Sequence, residues 1–220
     1  MSYRSRSDNI APVLGIIILC FLVYIVEKVV PFFGPDLPNQ MNPVIEVLGL
    51  QTASFIHQPW TITSNQPWTI ITNLFVHDPG GTIPWHLLFN MITLYFFGTF
   101  LIRLVGTRDF LIIYFLGGIA GNIVFMLFAR FIDQRLLYVT VIGASGAIFA
   151  LGGALALLTP RLRVFVFPIP VPMPLWVAVI GGFVIMVFVG GVAWQGHLGG
   201  LVFGLLAGLV LRRRVHTPFA

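Results

Sequence analysis

Residues 141–150 read "VIGASGAIFA". Ser145 stands there between Gly143 and Gly146, inside a run that otherwise has the composition of a membrane span. A hydroxyl in hydrocarbon needs a hydrogen-bond partner. Glycines beside it let another backbone approach closely. The chain around this stretch is 58% hydrophobic and 9% charged, with a mean hydropathy of +0.97. Apolar runs of about 20 residues, the length that crosses hydrocarbon, recur along it. The composition excludes a soluble domain and leaves room for one membrane bundle.

Six spans are expected, at 11–31, 85–102, 110–129, 137–158, 175–192 and 196–211. Pro12, Pro84 and Pro174 stand at or just before three starts, where a missing backbone N–H leaves nothing unsatisfied. The first span follows a basic flank and lacks a small-x-small cleavage site, so it reads as a retained signal anchor. Arg4, Arg6, Arg103, Arg108, Arg161, Arg163, Arg212, Arg213 and Arg214 fall on one side of the alternating topology, and Lys28, Arg130 and Arg135 on the other. The basic side is cytoplasmic, which puts both termini inside. The organisation is then a cytoplasmic tail at 1–10, a membrane domain at 11–211 and a basic cytoplasmic tail at 212–220.

The net charge of +5 is explained by these span ends, so no nucleic-acid partner is expected. Cys20 is the single cysteine, which excludes an intrachain disulfide and a cysteine-rich metal site. No P-loop, HExxH or dinucleotide fingerprint is present, and neither cofactor nor metal is expected. A site built from His77, His86 and His197 lacks ligand spacing.

Two connections are unusual. Residues 34–84 form a long, apolar outer loop with an internal echo, "QPWTI" at 58–62 and 66–70. Its Trp60 and Trp68, with Trp85, suit the bilayer interface, so the loop is expected to lie half-embedded on the outer leaflet. The cytoplasmic stretch "FPIPVPMPLW" at 167–176 has prolines at alternate positions. They favour an extended, polyproline-like tether without regular hydrogen bonding.

Polar groups in three motifs stand out within the spans. "PWHLLFNM" places His86 and Asn90 four residues apart on one face of the second span, "GASG" places Ser145 near the start of the fourth, and "WQGHLGG" places His197 near the start of the sixth. Even-numbered spans begin at the outer surface, so all three sites share one depth. Gly196, Gly200, Gly204 and Gly208 recur every fourth residue, and Gly146, Ala150 and Ala154 make a matching small-residue stripe. Stripes of this kind bring helices into close contact and would carry Ser145 to His197.

Serine is a weak nucleophile until a base takes its proton, and neutral histidine is such a base. Attack on a carbonyl makes an oxyanion that needs placed donors. The Asn90 amide, the His86 imidazole and the backbone near Ser145 supply candidates. None of the seven acidic residues lies in these motifs, so the pair reads as a dyad, with the histidine oriented by packing.

The ordered set "HLLFN", "GASG" and "HLGG", on the second, fourth and sixth of six spans, closely resembles the rhomboid intramembrane serine proteases. The resemblance runs from about Ala11 to Leu211. It implies an all-α, six-helix membrane bundle with Ser145 as nucleophile and His197 as its base. His86 and Asn90 become the oxyanion-stabilising pair, with Ser145 contributing its backbone, and Gly143 matches the first glycine of GxSG. It further implies substrate entry gated by the fifth helix and the cap above it. The chain departs from the pattern twice. Phe149 stands where bacterial members often have a tyrosine supporting the histidine, and Trp68–Thr69 replaces the tryptophan–arginine pair of the first loop.

The expected activity is cleavage of transmembrane protein substrates inside the bilayer, in a prokaryotic plasma membrane. A cavity opening to the extracytoplasmic side would admit water. Two other classes stay open: a catalytically silent rhomboid-like protein that binds transmembrane clients, and a small transporter. Retention of both Ser145 and His197 and the one-sided depth of the motifs weigh against them. The oligomeric state is not fixed by the sequence.

Overall fold

The computed structural model describes residues 9–33, 42–57, 66–166 and 169–215. Trp60, the first copy of the echo, Arg4 and Arg6 lie outside them. The helices are α1 (Ala11–Val29), α2 (Pro43–Leu48), α3 (Thr52–His57), α4 (Thr69–Thr72), α5 (Trp85–Val105), α6 (Thr107–Phe131), α7 (Ser145–Leu158), α8 (Leu175–Phe188) and α9 (Trp194–Leu211). Beside them stand two short antiparallel pairs, β1 (Leu50–Gln51) with β2 (Thr140–Val141), and β3 (Arg163–Val166) with β4 (Ile169–Pro174), and 3₁₀ turns at Val30–Phe32, Asn73–Phe75 and Gln134–Tyr138.

Among the described residues four helical segments are long and apolar enough to cross a membrane: Ala11–Phe32, Trp85–Val105, Thr107–Phe131 and Trp194–Leu211. α7 and α8 are apolar but shorter, at 14 residues each. The protein is an integral membrane protein built mostly of helix.

Burial explains the layering. On α1, Val13, Ile16, Cys20 and Tyr24 face inward at helical spacing, while Ile18, Leu22 and Ile25 stay exposed, the pattern of a peripheral helix with one face on lipid. α7 is the centre of the bundle, with every residue from Ala147 to Leu158 buried except Phe149 and Leu157. α6 and α9 close on it through glycines. A Cβ on Gly117 would collide with the Ala150 side chain, and one on Gly200 with the Gly146 carbonyl.

Three features differ from the sequence expectation. α7 begins at Ser145 and not at 137, because the preceding residues are used elsewhere. Gln134–Tyr138 forms a 3₁₀ turn and Thr140–Val141 pairs with Gln51 and Leu50. α8 ends at Phe188, and the chain then turns through Gly190 and Gly191, whose φ of 77° suits glycine. The proline-rich stretch is extended, but it is also paired, with Val164 opposite Met173 and Arg163 opposite Pro174. An antiparallel strand uses only alternate residues to bond one neighbour. Pro170, Pro172 and Pro174 occupy one parity, and Leu175, on the other, donates to the Leu162 carbonyl at 2.8 Å. Prolines on an edge strand therefore interrupt nothing.

The segment before α5 is held by side chains bonded to backbone. Trp68 Nε1 donates to the Val47 carbonyl at 2.9 Å, Thr72 Oγ1 to Leu48 at 2.8 Å, and Thr69 Oγ1 to Gln66 at 2.6 Å. Thr69, where the resemblance led one to expect arginine, thus has a bond of its own.

Candidate active site

The site grows from the turn that starts α7. Gly143 has φ +107°, a conformation L side chains rarely adopt. A Cβ there would lie 2.8 Å from both Cε1 and Nε2 of His86. Both geometry and space require glycine. The turn is held from behind: Gly143 N donates to the Asn73 carbonyl at 2.9 Å. The amides of Asn73 and Asn122 are paired at 3.0 Å in both directions, and Asn122 also donates to the Ile70 carbonyl at 2.8 Å. Both amides are buried, so the pair satisfies groups that would otherwise be costly in hydrocarbon.

With the turn fixed, Ser145 is the first residue of α7, and its Oγ lies 2.7 Å from His197 Nε2. The glycine seam makes this approach possible. Past Gly200 at the Gly146 carbonyl, Cβ atoms on Gly204 and Gly208 would collide with the carbonyls of Ala150 and Ala154. His197 is 6% exposed and stacks on Phe149, ring centroids 4.7 Å apart and planes 27° from parallel. Phe149 is in turn braced edge-on by Phe183 of α8. A serine hydroxyl donating to Nε2 leaves the ring proton on Nδ1, which has no partner among the described residues. The ring is therefore oriented by stacking, with no carboxylate bonded to it.

His86, on α5, lies against the Gly143 turn beside this pair, and Asn90 follows it one helical turn on. The backbone N–H of Asp78 donates to His86 Nδ1 at 3.2 Å, so in the neutral ring the proton sits on Nε2, the atom that faces Gly143. Asn90 Nδ2 donates one N–H to the His86 carbonyl at 2.7 Å and retains a second. The N–H groups of Ser145, Gly146 and Ala147 belong to the first turn of α7, where helices leave donors unsatisfied and favour negative charge. The His86 imidazole N–H thus lies at the Gly143 turn, beside the N-terminus of the helix that Ser145 begins.

His77, which the sequence offered only as one corner of a metal site without ligand spacing, is fully buried, its ring 5.2 Å from that of His86. Burial, reinforced by the facing His86, holds its imidazole down to about 3 against the pull of the Phe75 carbonyl. Its backbone N–H donates to Glu27 Oε1 at 3.1 Å. Asn73, Asn122 and Glu27 were missed as well. Asn122 and Glu27 carried a signal, being polar groups inside apolar spans. Asn73 carried none. Among the described residues no three His, Cys, Asp or Glu side chains converge to hold a metal ion.

Comparison with known proteins adds a second line. A family model described as "Rhomboid domain" matches residues 64–214, which take in all the site residues above except Glu27. The chain is 31% identical over 178 residues to RHOMBOID-like protein 4 of Arabidopsis thaliana, covering 80% of this chain and 42% of that one. It is 32% identical over 145 residues to Rhomboid protein 1, mitochondrial, of Saccharomyces cerevisiae, covering 60% and 39%. It is 31% identical over 129 residues to Rhomboid protease GluP of Bacillus subtilis, covering 57% and 23%. The chain spans less than half the length of each of these relatives. With the domain match extending over most of its length, the chain belongs to the rhomboid family.

Proposed function

We propose that the protein is a serine endopeptidase that cleaves transmembrane proteins within the bilayer through a Ser145–His197 dyad. The 2.7 Å approach of His197 Nε2 to Ser145 Oγ, at the head of a buried helix, carries this reading. His197 Nε2 takes the hydroxyl proton as Oγ attacks the scissile carbonyl carbon. The carbonyl electron pair moves to oxygen, where His86 Nε2–H, the free Asn90 N–H and the backbone at Ser145 receive it. Collapse breaks the C–N bond, and the His197 imidazolium gives its proton to the leaving amine. Water then repeats the cycle on the acyl-enzyme, releasing the acid and restoring Ser145.

The bundle is read as six spans, with α7 and α8 as the fourth and fifth and both termini cytoplasmic, on the nine-to-three distribution of basic residues. The site then lies toward the extracytoplasmic face of a prokaryotic plasma membrane, open to water from that side. A substrate helix must unwind to expose its peptide bond, so small or helix-breaking residues at the cut favour cleavage.

Fluorophosphonate labelling of the purified, detergent-solubilised protein tests the reading. The parent is expected to label, and Ser145→Ala and His197→Ala to lose about 10⁴-fold or more in rate. His86→Ala and Asn90→Ala should lose about 10²–10³-fold. A folded parent that fails to label with two probe chemistries would leave a client-binding protein as the better account.

A further inference from the structure

The last turn of α1 carries two charged residues in an otherwise apolar span, and both reach the same distant turn. Glu27 is fully buried, a position where a carboxyl is costly unless it is used. Its Oε1 accepts the His77 N–H, 50 residues away. Lys28 Nζ donates to the Pro79 carbonyl. Between these two anchors sits Asp78, whose N–H donates to His86 Nδ1. We propose that Glu27 and Lys28 are positioning residues for His86. By gripping the turn at His77 and Pro79 they hold the Asp78 N–H against Nδ1 and keep the ring's proton on Nε2.

The turn needs such anchors. It continues as Asp78-Pro79-Gly80-Gly81, with Gly81 at φ +73° and Asp78 Oδ1 accepting from Gly80 N at 2.9 Å. These local bonds shape the turn without fixing it to the bundle. Neutral imidazole has two tautomers, and the hydrogen bond at one nitrogen selects between them. With the proton on Nδ1 instead, Nε2 would present a lone pair to the serine and repel a developing oxyanion. Glu27 is itself braced, since Asn42 Nδ2 donates to its carbonyl at 2.7 Å while Asn42 Oδ1 caps α2 through Val44 N. The clamp thus joins α1, α2 and the turn above α5. Its catalytic consequence rests on the reading of His86 as an oxyanion donor; the tautomer itself does not.

The test is nitrogen NMR of the detergent-solubilised full chain labelled with ¹⁵N-histidine, with the His86 signals identified by their loss in His86→Gln. The parent is expected to show a protonated Nε2 and a bare Nδ1. In Glu27→Ala the His86 signals should move toward a tautomer mixture, and fluorophosphonate labelling should slow about tenfold. Glu27→Gln keeps an acceptor oxygen and should restore both to within about threefold of the parent. Lys28→Met should shift the signals in the same direction and by less. A purely structural role would lower thermal stability and leave the tautomer unchanged. Parent-like His86 signals in Glu27→Ala overturn the proposal. If that variant does not fold, parent-like signals in Lys28→Met overturn it. A tautomer that responds in a protein that never labels would sink the protease reading and keep this one. Labelling with an unresponsive tautomer does the reverse.

Discussion

α8 and α9 are both apolar and both rich in glycine, and they use glycine in opposite ways. On α9 four glycines remove a Cβ that would strike backbone: Gly199 against Ala120, Gly200 against Gly146, Gly204 against Ala150 and Gly208 against Ala154. On α8, Gly181 and Gly182 have nothing within 4 Å of where a Cβ would be, and only Leu175 and Val179 are buried. The glycines of α9 are demanded by packing, whereas those of α8 loosen a helix already thinly held. The serine–histidine contact stands on the tight side. It is tied to the loose side through the Phe149–Phe183 ring pair, centroids 6.1 Å apart.

The comparison breaks first at the seam. Gly200→Leu should prevent α9 from docking, leaving no folded protein in detergent. Gly204→Ala should cost about 3–5 kcal/mol, measured by thermal or denaturant unfolding. If either variant folds with parental stability, the seam is not the rigid half of the molecule. Next comes the bridge between the halves. Phe149→Ala removes the ring beneath His197 and should slow fluorophosphonate labelling about 10²-fold while the protein stays folded, since small misplacements of a catalytic group are costly. Parental labelling would mean that the histidine is held by something other than stacking.

Acidification should separate the halves too. α8 contains no titratable side chain, whereas His77 above the site is held neutral, from an ordinary value of 6.5 down to about 3. Its folded-state value is depressed, so its contribution is complete above pH 6.5 and fades as pH falls toward 3. Within that window each pH unit removes up to about 1.4 kcal/mol. A pH series of melting temperatures should show that loss, and His77→Phe should remove the part that His77 contributes. The smallest effect belongs to α8. Gly181→Ala and Gly182→Ala should each stabilise by about 0.5–1 kcal/mol, through helix propensity alone. A destabilisation would show that α8 is packed more closely than its exposure indicates.

The long spans and the three polar motifs were legible because each depends on local spacing. Apolar length marked α1, α5, α6 and α9, and the four-residue glycine period of α9 stood beside its partner stripe on α7. What escaped depends on register between distant segments. Val141 could not be taken out of the fourth span without knowing that it faces Leu50. The prolines of β4 forbade bonding only until their parity against β3 was fixed. Nothing in the order of residues brings Asn73 to Asn122 or Glu27 to His77. Asn122 and Glu27 could have been found by asking of every polar group in a span where its partner is.

The shortness of α7 has a consequence for the bilayer. At about 1.5 Å per residue its 14 residues reach roughly 21 Å, against about 30 Å of hydrocarbon. Such a deficit on a lipid-facing helix would thin the membrane or tilt the helix. Here the neighbours absorb it, because α7 is enclosed by α5, α6 and α9 and meets little lipid. The helix starts at Ser145, so the proposed nucleophile stands at the end of a helix too short to cross the hydrocarbon alone. A hydrophobic mismatch turned inward in this way is met by protein and leaves the surrounding lipid little to adjust.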